Sequence, residues 1–218
     1  MSPKNDPKND PSELSSAGAA FWDARYVGAD YIFGTAPNHF LASQADLIRP
    51  GMRTLAVADG EGRNSVWLAE QGALVHALDI SPVALSKAQT WATSRGVVVR
   101  FEEADLLNWS WPQAEYDLVV AIFIQFAPPP ERDSIIAGIR HCLKPGGTLI
   151  LQGYTPKQIE FATGGPSNPA NLYTVELLRE WFDGWDILHL REHESFISEG
   201  SHHHGPSALV DLVARKSL

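Results

Sequence analysis

The sequence predicts a doubly wound α/β domain built on a seven-stranded, mostly parallel sheet with one antiparallel strand. Seven apolar segments follow one another from Arg53 onwards, and helical patterns separate most of them. Continuously apolar segments are typical of parallel strands that helices cover on both faces. The last two segments have no helix between them, so we expect them to pair as an antiparallel hairpin.

The elements follow from apolar periodicity and from the residues that end helices. Gly72 and Gly96 follow two of the helical patterns, and glycine adopts the left-handed conformation that closes a helix. The predicted strands are residues 53–58, 73–79, 97–105, 116–124, 148–154, 186–196 and 207–216, and the predicted helices are residues 64–71, 82–95, 130–143 and 174–182.

The first residues differ in composition from the rest of the chain. Residues 1–18 repeat the tetrapeptide PKND and contain few side chains that can pack. We therefore expect a disordered tail over residues 1–18 and a single domain over residues 19–218.

Composition excludes several classes of function. The formal net charge of −9 is unlike that of proteins that bind the nucleic-acid backbone, so no nucleic-acid partner is expected. Cys142 is the only cysteine, which excludes an intrachain disulfide. No apolar run reaches the length of a membrane span, and no secretory signal is recognisable. We expect a cytoplasmic protein that acts on a small molecule, as a monomer or a homodimer.

The turn after the first predicted strand carries Gly60 and Gly62, and Asp79 ends the second strand about twenty residues later. This is the spacing at which an acid binds ribose hydroxyls in nucleoside-binding α/β units. Alternatively, the glycines only permit a tight turn and Asp79 caps the next helix. The combination of turn and acid within one unit favours a nucleoside cofactor at the carboxyl ends of the strands.

The charge of this turn bears on which nucleoside it binds. Ser65 stands where the dinucleotide-binding fingerprint has its third glycine, and Asp59 and Glu61 add negative charge to the turn. Two acids suit a ligand with an ammonium and a sulfonium group better than a pyrophosphate. The turn therefore favours S-adenosylmethionine over NAD, and an NAD(P)-dependent oxidoreductase is the alternative.

Motifs along the chain resemble the class I S-adenosylmethionine-dependent methyltransferases, and more narrowly their tellurite-resistance-type branch, which is related to thiopurine methyltransferases. The resemblance runs from about Phe21 to the end of the chain. It is carried by "FWDARYVGADYIFGTAPNHFL", "ADGEGRNSVWLAEQGALVHALDIS", "VVAIFIQFAPPPER", "LKPGGTLILQGYTPKQIEFATGGP" and "EGSHHHGPSALV". It implies an enzyme that transfers a methyl group from S-adenosylmethionine.

The resemblance also implies roles for individual residues. Asp79 would hold the ribose and Asp105 the adenine amino group, while Trp22 and Tyr26 would close over the cofactor. The complete implied cofactor set is Trp22, Tyr26, Ala58, Gly60, Gly62, Asp79, Ile80, Asp105, Leu106 and Ile122. The expected substrate set is Tyr154, Phe161, Gly164, Gly165, Glu199 and His203.

Methyl transfer from a sulfonium is an in-line displacement, so the protein mainly aligns the donor with the acceptor and excludes water. A general base is needed only when the acceptor holds its proton at the working pH. The expected acceptors are small soft or anionic species: a thiol, or a selenium, tellurium or arsenic compound. His203 is the candidate catalytic residue, and a solvated loop with incidental histidines is the alternative.

Two segments of the chain depart from the pattern of the family that it resembles. Ala56 and Ala58 stand where relatives commonly have an acid and a glycine, so we expect Asp59 to take over part of the missing acid's role. Gln125-Phe126 replaces a frequent His-Leu pair. These departures keep a third hypothesis open, a non-catalytic protein that binds S-adenosylmethionine.

The remaining conspicuous residues have structural interpretations. Three successive histidines, residues 202–204, point in different directions and lack the spacing of zinc ligands, so no metal is expected. His76 and Cys142 are expected in the core, and the tryptophans at 109, 111, 181 and 185 are expected to pack around helix ends. Arg132 is interpreted either as a surface residue or as a contact for an anionic substrate.

Overall fold

The computed structural model describes residues 14–200 and 203–218. Its elements are α1 (Leu14–Tyr26), α2 (His39–Ser43), a 3₁₀ turn (Ala45–Leu47), β1 (Arg53–Val57), α3 (Arg63–Glu70), β2 (Leu74–Asp79), α4 (Pro82–Arg95), β3 (Arg100–Glu103), β4 (Tyr116–Ile122), α5 (Pro129–Cys142), β5 (Leu143–Tyr154), α6 (Gln158–Phe161), a 3₁₀ turn (Pro169–Asn171), α7 (Val175–Trp181), β6 (Asp186–Glu199) and β7 (His203–Arg215).

The seven strands form one sheet in the order β3-β2-β1-β4-β5-β7-β6. Neighbours among the first five strands pair in parallel. β7 pairs antiparallel with both β5 and β6, so β6 runs in the same direction as β1 to β5. The predicted fold class, including its single antiparallel strand, is confirmed.

Two apolar cores lie on opposite faces of the sheet, as the strand pattern predicts. Because successive side chains of a strand point to opposite faces, Leu55 and Val57 belong to one core and Ala56 to the other. The first core packs against α5 and α7, and the second against α3 and α4. The sheet is therefore covered on both sides, and ligand access is left to its strand ends.

Capping residues set the ends of α4 and α7, and one of them, Gly96, was predicted from the sequence. α4 begins with the Ser81 hydroxyl accepting from the N–H of Ala84, and it ends at Gly96, whose φ is 69°. Thr174 caps α7 by accepting from the N–H of Leu177. These side chains satisfy N–H groups in the first turn that have no partner within the helix.

The C-terminal hairpin is longer than predicted. β6 and β7 continue pairing as far as Glu199 opposite His203, through residues predicted to form a connecting loop. The expectation that the histidines lie in that loop is wrong for His203 and His204, because backbone pairing with β6 extends to both of them. His202 lies outside the described residues.

The N-terminal boundary also differs from the expectation. The predicted tail, residues 1–18, lies mostly outside the described residues, but α1 begins at Leu14, inside it. Gly18 kinks this helix with a φ of 52°. The part of α1 that follows the kink carries the aromatic residues that reach the strand ends.

Candidate functional site

A cavity of about 800 Å³ opens at the carboxyl ends of β1, β2, β4 and β5, beneath α1 and beside the hairpin tip. Its volume is in the upper part of the range of small-molecule sites. It collects residues that are far apart in sequence but were predicted to share a site. Those that line it are Trp22, Tyr26, Ala58, Gly60, Asp79, Ile80, Asp105, Leu106, Ile122, Tyr154, Gly164, Gly165 and His203.

The turn after β1 places bare backbone at the cavity wall. Ala58 and Gly60 both adopt left-handed backbone conformations, with φ of 48° and 63°. A Cβ atom on Gly60 would lie 2.9 Å from the hydroxyl of Tyr26. Glycine at 60 therefore lets Tyr26 of α1 pack directly against the turn.

Asp79 is buried at the end of β2 and holds this turn in place. Its two carboxylate oxygens accept from the N–H of Gly60 at 2.7 Å and from the N–H of Ser81 at 2.9 Å. Burial raises the pKa of Asp79 to about 6, although these two hydrogen bonds favour the ionised form. A carboxylate has about four lone-pair positions, so Asp79 keeps acceptor capacity for a ligand.

Asp59 also lines the cavity, and it anchors the start of α3. Its carboxylate accepts from the N–H of Ser65 at 3.2 Å and from the Ser65 hydroxyl. Burial raises the pKa of Asp59 to about 6 as well. Asp59 therefore braces the turn, which is the role expected of it in the absence of an acid at Ala56.

Glu61 does not face the cavity, and this corrects the charge argument made from the sequence. Its carboxylate pairs with Lys87 of α4 and accepts from the N–H of Ile32 at 2.8 Å. Glu61 thus ties the segment after α1 to α4. Of the two acids in the turn, only Asp59 lines the cavity.

The aromatic residues of α1 cover one side of the cavity. Trp22 and Tyr26 stack with ring centroids 6.0 Å apart, and Tyr26 meets Phe33 edge to face at 6.3 Å. Phe33 lines the cavity too, although it was not predicted to do so. The aromatic richness of this segment was visible in the sequence, but nothing there distinguished Phe33 from its neighbours.

A second aromatic wall lies at the ends of β4 and β5. The ring of Phe123 stacks on Tyr154 at 4.7 Å and meets His203 of the hairpin at 4.6 Å. Phe123 has a φ of 57°, an unusual conformation for a bulky residue. Backbone strain of this kind is found at binding sites that the surrounding structure holds in place.

Gln125 supports this wall. Its amide accepts from the N–H of Tyr154 at 2.5 Å and donates to the Tyr154 carbonyl at 2.9 Å. It therefore clamps both backbone groups of Tyr154 and orients that ring. Gln125, which the resemblance marked only as a departure, thus positions Tyr154, a role that the sequence did not reveal.

Three predicted site residues lie outside the cavity lining. Gly62 faces α4, since a Cβ atom there would lie 2.8 Å from the Cβ of Ala88, so this glycine serves helix packing. Phe161 ends the short helix α6, and its ring lies 6.0 Å from the ammonium group of Lys157. The structure therefore does not bring Gly62 and Phe161 together with the other predicted site residues, and their contacts with the cofactor and the substrate stay predictions.

Glu199 is the third predicted site residue outside the cavity lining, and it anchors the hairpin tip to the N-terminal half of the chain. Its carboxylate pairs with Arg63 at 2.7 Å, accepts from the Asn38 side chain at 3.1 Å and accepts from the N–H of His39 at 3.0 Å. Glu199 therefore braces the cavity from outside, and its contact with the substrate stays a prediction.

Arg132 has neither of the roles weighed for it. Its guanidinium donates to the carbonyl of Ala170 at 2.8 Å and lies 4.7 Å from the ring of Trp181. Arg132 is buried and does not line the cavity. It fastens the 3₁₀ turn before α7 to the start of α5.

The core assignments are confirmed. His76 is buried, with its ring nitrogens 2.7 Å from the Tyr116 hydroxyl and 3.1 Å from Glu102. Cys142 is buried, and burial raises the pKa of its thiol to about 12. The four tryptophans pack against one core.

Within the described residues no cluster of His, Cys, Asp or Glu is arranged to hold a metal ion, and no helix is long and apolar enough to cross a membrane.

Arg63 and two further charged residues line the cavity without having been predicted to do so. Arg25 of α1 and Glu131 of α5 both reach it. Glu131 follows the proline run that opens α5, a position that gives no specific signal. Arg25 falls three residues after Trp22, so helical spacing placed it near the predicted aromatic face, but nothing in the sequence indicated that it reaches the cavity.

Comparison with known proteins relates the central part of the chain to one family. Residues 55–147 match the model of a family described as a methyltransferase domain. An uncharacterized methyltransferase of Synechocystis is 35% identical over 126 residues, which are 57% of this chain and 55% of that protein. An uncharacterized protein of Mycobacterium tuberculosis is 34% identical over 111 residues, which are 50% of this chain and 39% of that protein. The chain thus spans about half or less of the length of these relatives.

Solved structures share the fold at low sequence identity. A protein described for the conversion of a disulfide bond into a thioacetal group during echinomycin biosynthesis superposes with a TM-score of 0.72 at 22% identity, covering 91% of this chain and 92% of that one. TehB of Haemophilus influenzae gives 0.68 at 17% identity, with 91% and 67% coverage. Magnesium protoporphyrin IX methyltransferase of Synechocystis, solved with bound SAH, gives 0.65 at 19% identity, with 96% and 100% coverage.

Proposed function

We propose that this chain, whose fold and matched segment are those of the class I S-adenosylmethionine-dependent methyltransferases, transfers a methyl group from S-adenosylmethionine to a small acceptor. One observation carries the proposal. Within the segment that matches the family model, the cavity brings the left-handed turn Ala58–Gly60 against the buried carboxylate of Asp79. At Ala58 and Gly60 the turn offers backbone with a small side chain or none for close approach of the donor. The neighbouring Asp79 carboxylate can accept hydrogen bonds from the ribose hydroxyls.

The residues of the cavity fit such a donor. Asp79 has lone pairs left for the two ribose hydroxyls after binding Gly60 and Ser81. Asp105 lies at the next strand end, where its carboxylate accepts from the Leu107 N–H at 3.0 Å and retains capacity for the adenine amino group. Ile80 and Leu106 supply the apolar contacts for the adenine ring.

The donor's sulfonium supplies an activated methyl group, and the protein's part is to align and enclose it. Trp22 and Tyr26 cover the cavity and exclude water from the reacting atoms. Gln125 holds Tyr154, and with it the aromatic wall against which the acceptor rests. Fixing donor and acceptor in line can supply several kcal/mol of the barrier reduction, about 7–11 kcal/mol in the best intramolecular systems.

We extend the proposal to a soft acceptor, a thiol or a selenium, tellurium or arsenic species, and to the tellurite-resistance-type branch. The acceptor side of the cavity is lined by Phe123, Tyr154 and His203, whose polarizable rings suit such atoms. His203 lines this wall and is the candidate catalytic residue. The description of one structural neighbour, the protein of echinomycin biosynthesis, also concerns sulfur chemistry.

Titration calorimetry with S-adenosylhomocysteine and with NADH tests the cofactor. We expect saturable binding of S-adenosylhomocysteine and none of NADH, and the reverse would favour the oxidoreductase alternative. Incubation with methyl-labelled S-adenosylmethionine and a panel of thiols, selenite, tellurite and arsenite tests the reaction. Tight cofactor binding without transfer to any of these would replace the proposal with a non-catalytic binding protein.

A further inference from the structure

Arg25 lies on α1 and lines the cavity. Other arginines that line the cavity or stack on a tryptophan have a hydrogen-bonding or ion-pair partner. Arg63 pairs with Glu199, Arg132 donates to Ala170, and Arg95 pairs with Glu70. Among the described residues, no acidic group or carbonyl binds the guanidinium of Arg25, and its Nε is buried without a hydrogen-bond partner. Burial also lowers the pKa of Arg25.

The contacts that Arg25 does make leave its N–H groups available. Its guanidinium carbon lies 5.6 Å from the ring centroids of both Phe21 and Trp22. Cation–π contacts position the guanidinium through the ring faces and consume none of its N–H donors. These aromatic rings thus position a planar set of donors whose geometry matches a carboxylate.

The charges around the cavity make this arginine conspicuous. Asp59, Asp79, Asp105 and Glu131 all line the cavity, and they repel an anionic ligand. Arg63, the other arginine of the described lining, is neutralised by Glu199. Arg25 is therefore the positive charge that this lining offers to a bound anion.

We infer that Arg25 is an anion-binding residue that takes a carboxylate, or a similar oxyanion, of a molecule held in the cavity. The inference rests on the proposed function, which offers two sources of that group: the carboxylate at the methionine end of the donor, and an anionic group on the acceptor. Because Arg25 follows Trp22 by one helical turn and precedes Tyr26, binding such a group also fastens α1 over the cavity.

The first arm of the test measures binding to the unmodified full chain and its variants. Calorimetry compares S-adenosylhomocysteine with 5′-methylthioadenosine, which keeps the adenosine and the sulfur but lacks the amino acid. The variants are Arg25→Gln, Arg25→Lys and, as the matched control, Arg95→Gln. Arg95 also lies over a tryptophan ring, Trp91 at 5.4 Å, but it pairs with Glu70 and does not line the cavity.

If the donor is the source, Arg25→Gln weakens S-adenosylhomocysteine binding by tenfold or more and leaves 5′-methylthioadenosine binding unchanged. Arg25→Lys restores part of the loss because it keeps the charge, and Arg95→Gln behaves like the wild type. A variant that lost affinity only through misfolding would weaken both ligands equally, and that result would contradict the inference.

The second arm measures transfer of a labelled methyl group to two matched thiols, thiophenol and 4-mercaptobenzoate. If the acceptor is the source, Arg25→Gln lowers kcat/KM for 4-mercaptobenzoate by tenfold or more and leaves that for thiophenol unchanged. No difference between Arg25→Gln and the wild type in either arm overturns the inference while leaving the proposed function intact. Failure of the wild type to bind S-adenosylhomocysteine overturns the proposed function and, with it, the inference.

Discussion

At the scale of single residues, two buried carboxylates, those of Asp59 and Asp79, support the turn after β1 and line the cavity. Asp59 accepts from the N–H and the hydroxyl of Ser65, and Asp79 accepts from the N–H groups of Gly60 and Ser81. Burial raises both pKa values to about 6. Asp79 was identified by its distance from the glycines, because that distance is set by one strand-turn-helix unit. The bracing role of Asp59 was expected, but the Ser65 contact that performs it was not.

Asp79→Asn should weaken S-adenosylhomocysteine binding by about 1.5–3 kcal/mol, the value of a hydrogen bond to a charged group. The amide also cannot accept from both the Gly60 and Ser81 N–H groups, so the turn loses part of its support. Calorimetry measures the affinity, and a thermal melt confirms that the variant folds. Glu103→Gln, at an exposed position on the neighbouring strand β3, is the control. Unchanged affinity in Asp79→Asn would remove Asp79 from the site.

Affinity for S-adenosylmethionine should rise as the pH increases through about 6. The donor is cationic and its ribose needs acceptor oxygens, so it prefers ionised Asp79, whose pKa burial raises to about 6. Calorimetry between pH 5 and 7.5 measures this, and Asp79→Asn should flatten the profile. A wild-type affinity independent of pH would contradict the prediction.

The same raised pKa values affect the stability of the unliganded protein in the opposite direction: its free energy of unfolding should fall as the pH increases. The folded state binds more protons than the unfolded chain between pH 4 and 6, because both groups start from 3.8. Their contribution to the free energy of unfolding is therefore fully present below about pH 4 and is lost as the pH rises through about 6.

Ala58→Gly should raise the free energy of unfolding by up to about 1 kcal/mol. A left-handed conformation costs an L-residue roughly 1–2 kcal/mol, which glycine avoids. The greater conformational freedom of glycine in the unfolded chain offsets about 0.5–1 kcal/mol of this gain. Urea denaturation measures the change. Ala56→Gly, two residues earlier in the regular strand β1, should instead lose stability. Equal losses at both positions would show that Ala58 is not strained.

At the scale of elements, the contact between α3 and α4 depends on Gly62. A Cβ atom there would lie 2.8 Å from the Cβ and 3.0 Å from the Cα of Ala88, so an alanine forces the two helices apart. The sequence presented Gly62 as part of a ligand-binding turn, because glycine spacing does not reveal which glycine faces a ligand and which faces a helix.

Gly62→Ala should therefore lower the free energy of unfolding by about 1–3 kcal/mol more than Gly96→Ala. Both glycines adopt left-handed conformations, with φ of 89° and 69°, but a Cβ atom at Gly96 has nothing within 4 Å. The difference in their urea unfolding isolates the packing cost from the backbone cost. Equal effects would place Gly62 outside the helix contact.

At the scale of the whole molecule, the tip of the C-terminal hairpin binds residues of the N-terminal half and so closes one side of the cavity. Glu199 at the hairpin tip pairs with Arg63 of α3 and binds Asn38 and His39 of the segment before β1. The side chains of Arg63 and Glu199 are only 8% and 11% exposed. This contact joins residues 136 positions apart and fixes the wall that carries His203.

Arg63→Met and Glu199→Met should each destabilise the protein by about 3–5 kcal/mol, because each leaves a buried charge without its partner. The double variant should lose much less than the sum of the two, because it leaves neither charge behind. Thermal and urea melts of the four proteins measure the coupling. Additive losses would show that the two charges do not interact.

The sequence by itself determined the order of the strands along the chain, the antiparallel hairpin and the edge of the sheet where the cavity opens. These depend on apolar periodicity and on turn residues, which act over a few positions, as Leu55 to Val57 and Gly96 show. It also placed Asp79 at that edge.

Only the tertiary structure decided which way the neighbouring side chains point. Glu61 turns to Lys87, Glu199 turns to Arg63, and Arg25 meets no acid among the described residues. The first two outcomes depend on a partner distant along the chain, because a charged side chain adopts the direction in which its burial is compensated. Spacing along the sequence carries no information about that direction.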